Sequence, residues 1–149
     1  MRITTKGRYA LRAVLRLAQE NHEKPVSIRV LSEIEDISPE FLEQIFFRLR
    51  KSELISSTRG PGGGFKMNRP SSDITIASIF EAVGEELHFS PCTQEDGVPC
   101  GREDICPAHD FWEHTYSLFR RYFEQVTLED ILEGRKKVPE WNDKVSHNS

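Results

Sequence analysis

Four glycines and one proline fill the five positions from Gly60 to Gly64, within the segment STRGPGGGFKMN. A helix or strand does not continue through such a run, because glycine loses the most backbone freedom on folding and proline lacks a backbone N–H. Short runs suited to strands stand on both sides, from Leu54 to Arg59 and from Phe65 to Asn68. The sequence therefore predicts a β-hairpin with a glycine-rich tip, flanked by the cations Arg59, Lys66 and Arg69.

Glycine-rich loops beside cations are typical of phosphate binding, so two nucleotide-binding loops are the first alternatives. The phosphate loop of nucleotide hydrolases ends in Gly-Lys-Ser/Thr, but Gly64 is followed by Phe65, Lys66 and Met67. The dinucleotide fingerprint needs a third glycine where Phe65 stands, and a helix where a strand is predicted. Both nucleotide interpretations fail, which leaves a nucleic-acid backbone or a hairpin that is simply exposed to solvent.

The N-terminal region predicts two helices. The first runs from Lys6 to about Asn21, with apolar residues at helical spacing and most basic residues off that stripe. Pro25 separates it from a short second helix that ends near Asp36, for which Ser27 is a candidate N-cap. The apolar stripes consist of Ala10, Leu11, Val14, Leu17 and Ala18 in the first helix, and of Ile28, Leu31 and Ile34 in the second.

A third helix has a clear start, with Ser38 as N-cap, Pro39 at the first helical position and Glu40 in the first turn. Its predicted buried side contains Phe41, Leu42, Ile45, Phe46 and Leu49. Its predicted outer side contains Glu40, Glu43, Gln44, Phe47, Arg48 and Lys51. Two closely linked helices, the second with polar side chains that suit base reading, predict a helix-turn-helix. The hairpin that follows is then a wing, and the fold class is mainly α with a two-stranded β wing.

Charge is divided unevenly along the chain. Residues 1–69 contain 13 lysines and arginines against 8 acidic residues, whereas residues 70–149 contain 7 against 16. The basic half is the candidate for a polyanionic partner such as double-stranded DNA. In the wing, glycine allows the backbone to approach sugar and phosphate closely, and Arg59 suits a narrow minor groove.

Three further helices are predicted in the acidic half, the last of them a short one that starts at Thr127–Asp130 and ends at Gly134. The fourth extends from Ile74 to Val83 and stops at Gly84. The longest extends from Pro107 to about Gln125 and carries an aromatic stripe. Such a stripe favours pairing with a second copy of the chain, and packing on its own domain is the alternative. The stripe comprises Ala108, Phe111, Trp112, Thr115, Phe119, Tyr122 and Val126.

Three cysteines and one histidine form the main chemical constellation. Seven residues separate Cys92 from Cys100, five separate Cys100 from Cys106, and two separate Cys106 from His109. An odd number of cysteines without an export signal favours a metal or redox site over a disulfide framework. Thiolates and imidazole suit zinc or an iron-sulfur cluster, and the wide gaps suit the larger centre. With Pro107 as the first helical residue, Cys106 would lie at a helix N-terminus, where the dipole favours its thiolate.

Composition limits the remaining classes. The 149 residues are 37% apolar, enough for one ordinary core, and no segment approaches the roughly 20 apolar residues of a membrane span. The N-terminus lacks the apolar stretch of a signal peptide, so we expect a cytoplasmic protein. No acid, base and nucleophile set is evident, so we expect neither an enzyme nor a small-molecule substrate.

The segments MRITTKGRYA, FLEQIFFRLRK and LISSTRGPGGGF, with three cysteines followed by a histidine, resemble the IscR-type winged-helix regulators, which include NsrR and RirA. The resemblance extends from Met1 to about Ile131. It implies a homodimer that binds palindromic promoter DNA, is most often a repressor, and is tuned by an iron-sulfur cluster that reports cluster supply, iron, oxidative stress or nitric oxide. The implied ligands are Cys92, Cys100, Cys106 and His109, around a 2Fe-2S cluster with 4Fe-4S as the alternative.

The resemblance also implies DNA contacts. Glu43, Gln44 and Arg59 fall on DNA-reading positions of that family. The seven-residue gap after Cys92 is closer to the spacing of RirA than to the five residues of IscR, and Arg8 stands where an aspartate ligand would be needed for an NsrR-type cluster. The full set of candidate DNA contacts is Arg2, Lys6, Ser38, Glu40, Glu43, Gln44, Arg48, Lys51, Arg59, Gly60, Gly62, Gly63 and Gly64.

Four regions are expected: a DNA-binding unit over 1–84, a cluster loop over 85–107, a dimerisation helix with a short C-terminal helix over 108–134, and a disordered tail over 135–149. Two alternatives to the cluster-gated regulator stay open. The thiols could bind zinc or switch by oxidation in a winged-helix regulator. The chain could also be an iron-sulfur electron carrier, which would not need the basic helix-turn-helix and wing.

Overall fold

The computed structural model describes residues 3–20, 24–93 and 100–136, and it contains six α-helices and one two-stranded sheet within them. The helices are α1 (Thr5–Glu20), α2 (Ile28–Glu35), α3 (Pro39–Lys51), α4 (Ile76–Val83), α5 (His109–Gln125) and α6 (Leu128–Leu132). The strands are β1 (Ile55–Thr58) and β2 (Gly64–Met67). Short 3-10 turns lie at Ser71–Asp73, Pro91–Thr93 and Glu103–Ile105. None of the described helices is both long and apolar enough to cross a bilayer.

The helix starts follow from local capping. Ser27 accepts a hydrogen bond from the backbone N–H of Val30, and Ser38 accepts one from that of Phe41, each at 3.3 Å. These side chains satisfy amide groups that have no partner within the helix, so α2 and α3 begin where the sequence predicts. Asp36 ends α2 with a left-handed backbone, φ 53°.

The core lies where α1, α2, α3 and α4 meet. Most of the predicted apolar faces are buried, and the largest fully buried side chains include Leu17, Leu31, Phe46 and Phe80. Ile34, which belongs to the predicted stripe of the second helix, is instead exposed. Burial of such a side chain contributes about 1.5–3 kcal/mol relative to exposure, so this shared core holds the four helices together. Phe41, which was predicted to be buried, is half-buried and meets Tyr9 edge to face.

The wing is an antiparallel hairpin in which Ile55 pairs with Met67 and Thr58 pairs with Gly64. A third segment joins it, because Val26 and Phe65 exchange backbone hydrogen bonds of 2.8 and 2.9 Å. The Phe46 and Phe65 rings also meet edge to face, with centroids 4.9 Å apart. The wing is therefore held against both α3 and the segment before α2.

Helix α4 starts two residues later than predicted, because Thr75 caps it by accepting a hydrogen bond from Ser78 N–H at 3.1 Å. The residues before it pair with the C-terminal region. Ile76 N–H donates to Val126 O at 3.0 Å, and Leu128 N–H donates to Ile74 O at 2.9 Å. Val126 and Leu128 are buried in the main core, so α6 packs on the winged-helix unit.

Helix α6 begins with a capping box formed by Thr127 and Asp130, as its sequence suggested. The buried Asp130 also accepts a hydrogen bond from Arg135 at 3.4 Å. A hydrogen bond with Glu133 raises the pKa of Arg135 above its ordinary value. The end of the described chain is thus joined to α6 by charged contacts.

The two halves of α5 have different surroundings. Near its C-terminal end, Phe123 packs edge to face on Phe80 of the core, with centroids 5.6 Å apart. Near its N-terminal end, Phe111 is 62% exposed and contacts Trp112 with centroids 5.0 Å apart. Phe123 was not part of the predicted aromatic stripe. Of that stripe, Tyr122 and Val126 pack on the core of their own domain, whereas Phe111 faces outward.

Candidate functional site

The outer face of α3 presents the side chains that the sequence singled out. Glu40, Glu43, Gln44, Arg48 and Lys51 are all exposed, and so is the capping residue Ser38. Their position follows from the burial of the opposite face, at Leu42, Ile45, Phe46 and Leu49. An open groove of about 840 Å³ lies along this face. Its lining consists of Glu40, Glu43, Gln44, Phe47, Arg48, Lys51, Ser52 and Ala82. We call this surface the α3 groove.

Two cations converge on the C-terminal end of α4. Lys6 Nζ donates to the carbonyl oxygen of Gly84 at 3.2 Å. A β-carbon built on Gly84 would lie 3.6 Å from Arg48 Nη1 and 3.9 Å from Lys6 Nζ. Cations at a helix C-terminus interact favourably with its dipole. The structure thus brings predicted contact residues of α1 and α3 together, and it extends the α3 groove with positive charge.

Other cations of α1 have a structural role. Arg12 and Arg16 form ion pairs with Glu35 of α2, at 3.2 and 2.8 Å. Their charges are therefore partly neutralised within the fold. By contrast, Lys6, Arg48 and Lys51 form no ion pair with any residue in the described part of the chain. The cations without an ion pair therefore include three of the predicted DNA contacts.

Arg59 lies at the tip of the wing, exposed and directly after β1. Within the described ranges, Arg59, Lys66 and Arg69 make no ion pairs. Gly62 has a φ of 73°, a conformation that side chains with a β-carbon rarely adopt. The tip therefore presents a cation beside backbone that is open to an approaching ligand. Arg2, another predicted contact, lies outside the described residues.

Packing within the protein explains why two positions of the wing are glycine, without any need for close approach to DNA. A β-carbon on Gly63 would lie 2.3 Å from Thr58 O, and one on Gly64 would lie 2.4 Å from Val26 O. Neither position accepts a side chain even without a ligand. By contrast, a β-carbon on Gly60 or Gly62 would meet nothing within 4 Å. The predicted close approach to sugar and phosphate thus concerns Gly60 and Gly62.

Arg50 connects α3 to the wing and was not singled out in the sequence. Its Nη1 donates to Ser57 Oγ on β1 at 3.1 Å. Its guanidinium also lies over the ring of Phe47, 5.9 Å from the centroid. The contact of Arg50 with Phe47 could have been predicted, because the two residues are three positions apart on α3. The contact with Ser57 could not, because it depends on how the wing folds back.

The cysteine loop contains three free, half-buried thiols. Cys92 lies in the 3-10 turn at Pro91–Thr93, which packs against α5, and it accepts a hydrogen bond from Ser90 Oγ at 3.4 Å. The backbone N–H of Cys100 donates to the Glu103 carboxylate at 3.2 Å. Three thiols of this kind are suitable ligands for a metal centre once deprotonated.

Cys106 lies two residues before the N-cap of α5, and not at the helix N-terminus that the sequence predicted. The helix begins at His109 with Ala108 as its N-cap, and Cys106 directly follows the 3-10 turn at Glu103–Ile105. Pro107 therefore belongs to the connection between the turn and the helix. His109 N–H still donates to Cys106 O at 3.1 Å, so these two residues share one turn.

The imidazole of His109 gives the clearest test of whether the loop suits a metal centre. Its Nδ1 atom is buried and has no hydrogen-bond partner among the described residues. A buried polar atom without a partner is costly, and a ligand bond would satisfy it. The donor set of three thiols and one imidazole therefore fits a thiophilic centre. In the described part of the chain, however, no three His, Cys, Asp or Glu side chains are grouped closely enough to hold a metal ion.

Comparison with known proteins places these features in context. The sequence matches the Rrf2 family, described as iron-dependent transcriptional regulators, over residues 3–134. The HTH-type transcriptional regulator IscR of Photorhabdus laumondii is 37% identical over 136 residues, covering 91% of this chain and 82% of that protein. The solved structure of T. potens IscR has a TM-score of 0.72 and 28% identity, covering 91% and 89% of the two chains. CymR, the global cysteine regulator of B. subtilis, has a TM-score of 0.73 and 27% identity, covering 91% and 99%.

These similarities confirm the predicted winged-helix fold and the resemblance to IscR-type regulators. The relatives are named as transcriptional regulators, which also confirms the prediction of a regulator and not an enzyme.

Proposed function

The chain belongs to the Rrf2 family of transcriptional regulators, and we propose that it is a homodimer whose affinity for promoter DNA is tuned by an iron-sulfur cluster. The observation that carries the proposal is the pairing of an exposed, polar α3 groove and a cationic wing with a loop whose buried His109 Nδ1 lacks a partner. The groove and the wing suit DNA, and the loop with His109 suits a metal centre.

In the proposed complex, α3 enters the major groove and the wing contacts the adjacent minor groove. Gln44 is suited to adenine, whose N6 and N7 can be recognised by one amide, and Glu43 is suited to the N4 amino group of cytosine. Lys6 and Arg48, at the end of α4, are suited to a backbone phosphate. Arg59 is suited to a narrow minor groove, where the negative potential is strongest.

A second copy of the chain is the proposed partner for the outward part of α5. Phe111 and the half-buried Trp112 form an aromatic pair there, and Ile105 just upstream is 69% exposed. Exposed apolar side chains in contact with one another favour association. Two copies related by a two-fold axis would present two α3 helices to a palindromic operator.

Cys92, Cys100, Cys106 and His109 are the proposed ligands, around a 2Fe-2S cluster with 4Fe-4S as the alternative. Such a cluster would supply a redox-active and labile centre that reports cluster supply, iron, oxidative stress or nitric oxide. Cys92 lies in a turn that packs on α5, His109 is the first residue of α5, and Cys106 lies three residues before it. The four side chains therefore connect the loop with the helix that we propose to join the dimer.

Binding of the cluster can change DNA affinity only if the cluster binds the DNA-competent conformation of the protein with a different free energy from the incompetent one. The change in DNA affinity equals that difference. Allosteric couplings are typically about 1–3 kcal/mol, or roughly 5- to 150-fold in affinity. Repression is the proposed effect on transcription, since an operator that overlaps a promoter would be blocked by the bound dimer.

Anaerobic purification tests the proposal directly. We expect visible absorbance with matching iron and sulfide contents, and different DNA affinities for matched apo and cluster-bound samples. Reconstituted protein without iron would contradict the cluster, and equal affinities at every operator would contradict the sensor role. Failure to shift any DNA in a selection from random sequence would contradict DNA binding itself.

A regulator switched by thiol oxidation is the second candidate, and one observation favours it. Solved structures similar to this chain include CymR of Staphylococcus aureus in an oxidized form, 26% identical with a TM-score of 0.69. This chain also has three half-buried free thiols in one loop. An iron-free protein whose DNA affinity changes with peroxide and is restored by a thiol reductant would support this candidate.

A further inference from the structure

Phe47 is an aromatic side chain in an otherwise polar and charged part of α3. It is 59% exposed, although the helix has a well-packed opposite face that could have accommodated apolar residues. Residues three and four positions apart share a helix face, which places Phe47 beside Glu43, Gln44 and Lys51. A single exposed apolar residue is ordinary, but this one lies at the centre of the face proposed to read DNA.

The surroundings of Phe47 suit a polyanionic partner. The ring lines the α3 groove together with two carboxylates, Glu40 and Glu43, and two cations, Arg48 and Lys51. Neither cation has an ion pair in the described chain, so the carboxylates do not neutralise them directly. An apolar protein segment would leave these cations without compensation, whereas phosphates on both sides of a DNA groove would compensate them. The groove therefore favours double-stranded DNA as the group that covers the ring.

The contact with Arg50 helps to hold the ring in place. The guanidinium lies 5.9 Å from the ring centroid and is itself hydrogen-bonded to Ser57 Oγ of β1. A cation over one face of the ring limits its rotation and leaves the rest of the side chain open. Phe47 therefore approaches a partner as a preorganised apolar surface at little cost in side-chain entropy.

A phenyl ring cannot take part in the hydrogen-bond pattern of the base edges. The apolar feature of the major groove is the C5-methyl group of thymine, which Phe is suited to contact. We propose that Phe47 is a specificity-determining residue that selects a thymine through this methyl group. The proposal rests on the proposed DNA binding, and it adds a preference that Glu43, Gln44 and Arg59 do not supply.

The expected size of the effect is modest and measurable. Removing one methyl group from an apolar contact costs about 0.8 kcal/mol, which is roughly a fourfold loss of affinity. Replacing dT by dU removes that methyl group and leaves the hydrogen-bonding edge unchanged. Comparing dT with dU duplexes therefore measures the contact with the methyl group apart from every polar contact.

The test begins with selection of a binding site from random DNA by the wild-type protein. Each dT of the selected duplex is then replaced in turn by dU, and affinity is measured for wild type and for Phe47→Ser. We expect wild type to lose about fourfold affinity at one thymine per half-site, and we expect Phe47→Ser to show no such loss. Ile34→Ser, which alters an apolar side chain on α2 that is 44% exposed, is the matched control and should retain the loss.

Three results would overturn the proposal. Wild type could be indifferent to every dU substitution, which would mean that no methyl group is read. Phe47→Ser could keep the same dU sensitivity as wild type, which would assign the contact to another residue or the ring to a protein partner. Ile34→Ser could lose the dU sensitivity as fully as Phe47→Ser does, which would mean that the loss is not specific to the ring of Phe47. If no DNA is selected at all, the proposed function fails before this question arises.

Discussion

The carboxylate of Glu85 accepts two hydrogen bonds from Thr4, which lies 81 residues earlier in the chain. One comes from the backbone N–H at 2.6 Å and the other from the hydroxyl at 2.5 Å. Glu85 directly follows Gly84, the end of α4, and it is only 8% exposed. The contact therefore joins the start of α1 to the first residue of the predicted cluster loop.

Gly7 makes room for this contact, and its replacement by alanine should break it. A β-carbon at position 7 would lie 2.6 Å from Glu85 Oε2, so the carboxylate would have to move away from Thr4. Glycine to alanine within a helix normally stabilises by about 0.5–1 kcal/mol, whereas loss of hydrogen bonds to a charged group costs about 1.5–3 kcal/mol. We expect net destabilisation in urea unfolding. In a Glu85→Ala background, where the clash is absent, we expect Gly7→Ala to stabilise the protein by about 0.5–1 kcal/mol, and full additivity of the two changes would contradict this account.

Arg59→Ala should weaken DNA binding by about 1–3 kcal/mol and reduce discrimination at the base pairs under the wing. The reason is that Arg59 is exposed beside an open glycine tip and has no ion pair in the described chain. Arg29→Ala is the matched control, since it removes the same charge from an arginine paired with Glu33 on α2. Fluorescence titration at several salt concentrations measures both. Equal effects of the two variants would mean that only net charge matters.

Glu43→Ala should bind a wider range of sequences than wild type. A carboxylate repels the phosphate backbone in general but can accept a hydrogen bond from cytosine N4, so it acts mainly by excluding other bases. Glu43 is exposed on the outer face of α3 and pairs with no cation in the described residues. Sequencing of sites selected from random DNA by each protein is the measurement. A preference that stays as narrow as in wild type would argue against the role.

Replacing Cys92, Cys100 and Cys106 together by alanine should give a folded protein without visible absorbance. The core of α1 to α4 and the packing of Phe123 on Phe80 do not involve these thiols. His109→Ala should have a smaller effect, leaving a more labile or spectrally altered centre, because three thiolates remain. Circular dichroism, sedimentation and anaerobic spectra compare the variants. Unfolding of the triple variant would show that the loop has a structural role in the fold.

Gly62 and Gly63 should respond differently to substitution. Gly62→Asn should keep the wing intact, because asparagine tolerates a left-handed backbone and nothing lies within 4 Å of the added β-carbon. Gly63→Ala should disturb the hairpin, because its β-carbon would lie 2.3 Å from Thr58 O. Thermal unfolding and DNA titration together separate the two effects. Similar melting temperatures for both variants would contradict the packing account.

Much of the fold was predictable because it follows from local patterns. Apolar spacing and the capping residues Ser27, Ser38 and Thr127 define helices from information within one or two turns. The start of α4 was predicted two residues early because Ile74 continues the apolar spacing. In the structure Ile74 instead accepts a hydrogen bond from Leu128 N–H, which lies 54 positions away and has no local signature.

The candidate site was predictable only in part. Residues on the outer face of α3 follow from the burial of the opposite face, which periodicity indicates. The junction of Lys6 with Gly84, the bridge between Val26 and Phe65, and the contact of Arg50 with Ser57 each join distant segments. How the cysteines approach one another stays a prediction, since spacing along a loop does not determine its path.

The bridge between Val26 and Phe65 leaves the wing little freedom to move relative to α3, to which Phe46 also joins it. In each half of the proposed dimer, α3 and the wing therefore keep one relative orientation and cannot adjust separately to the duplex. B-DNA turns once in about 10–10.5 base pairs, so one inserted base pair between half-sites rotates them by about 34–36°. Because the helix-turn-helix and wing of each copy are stiff, this rotation has to be absorbed where the two copies join. The affinity for operators with spacers of different length therefore measures how easily that junction twists.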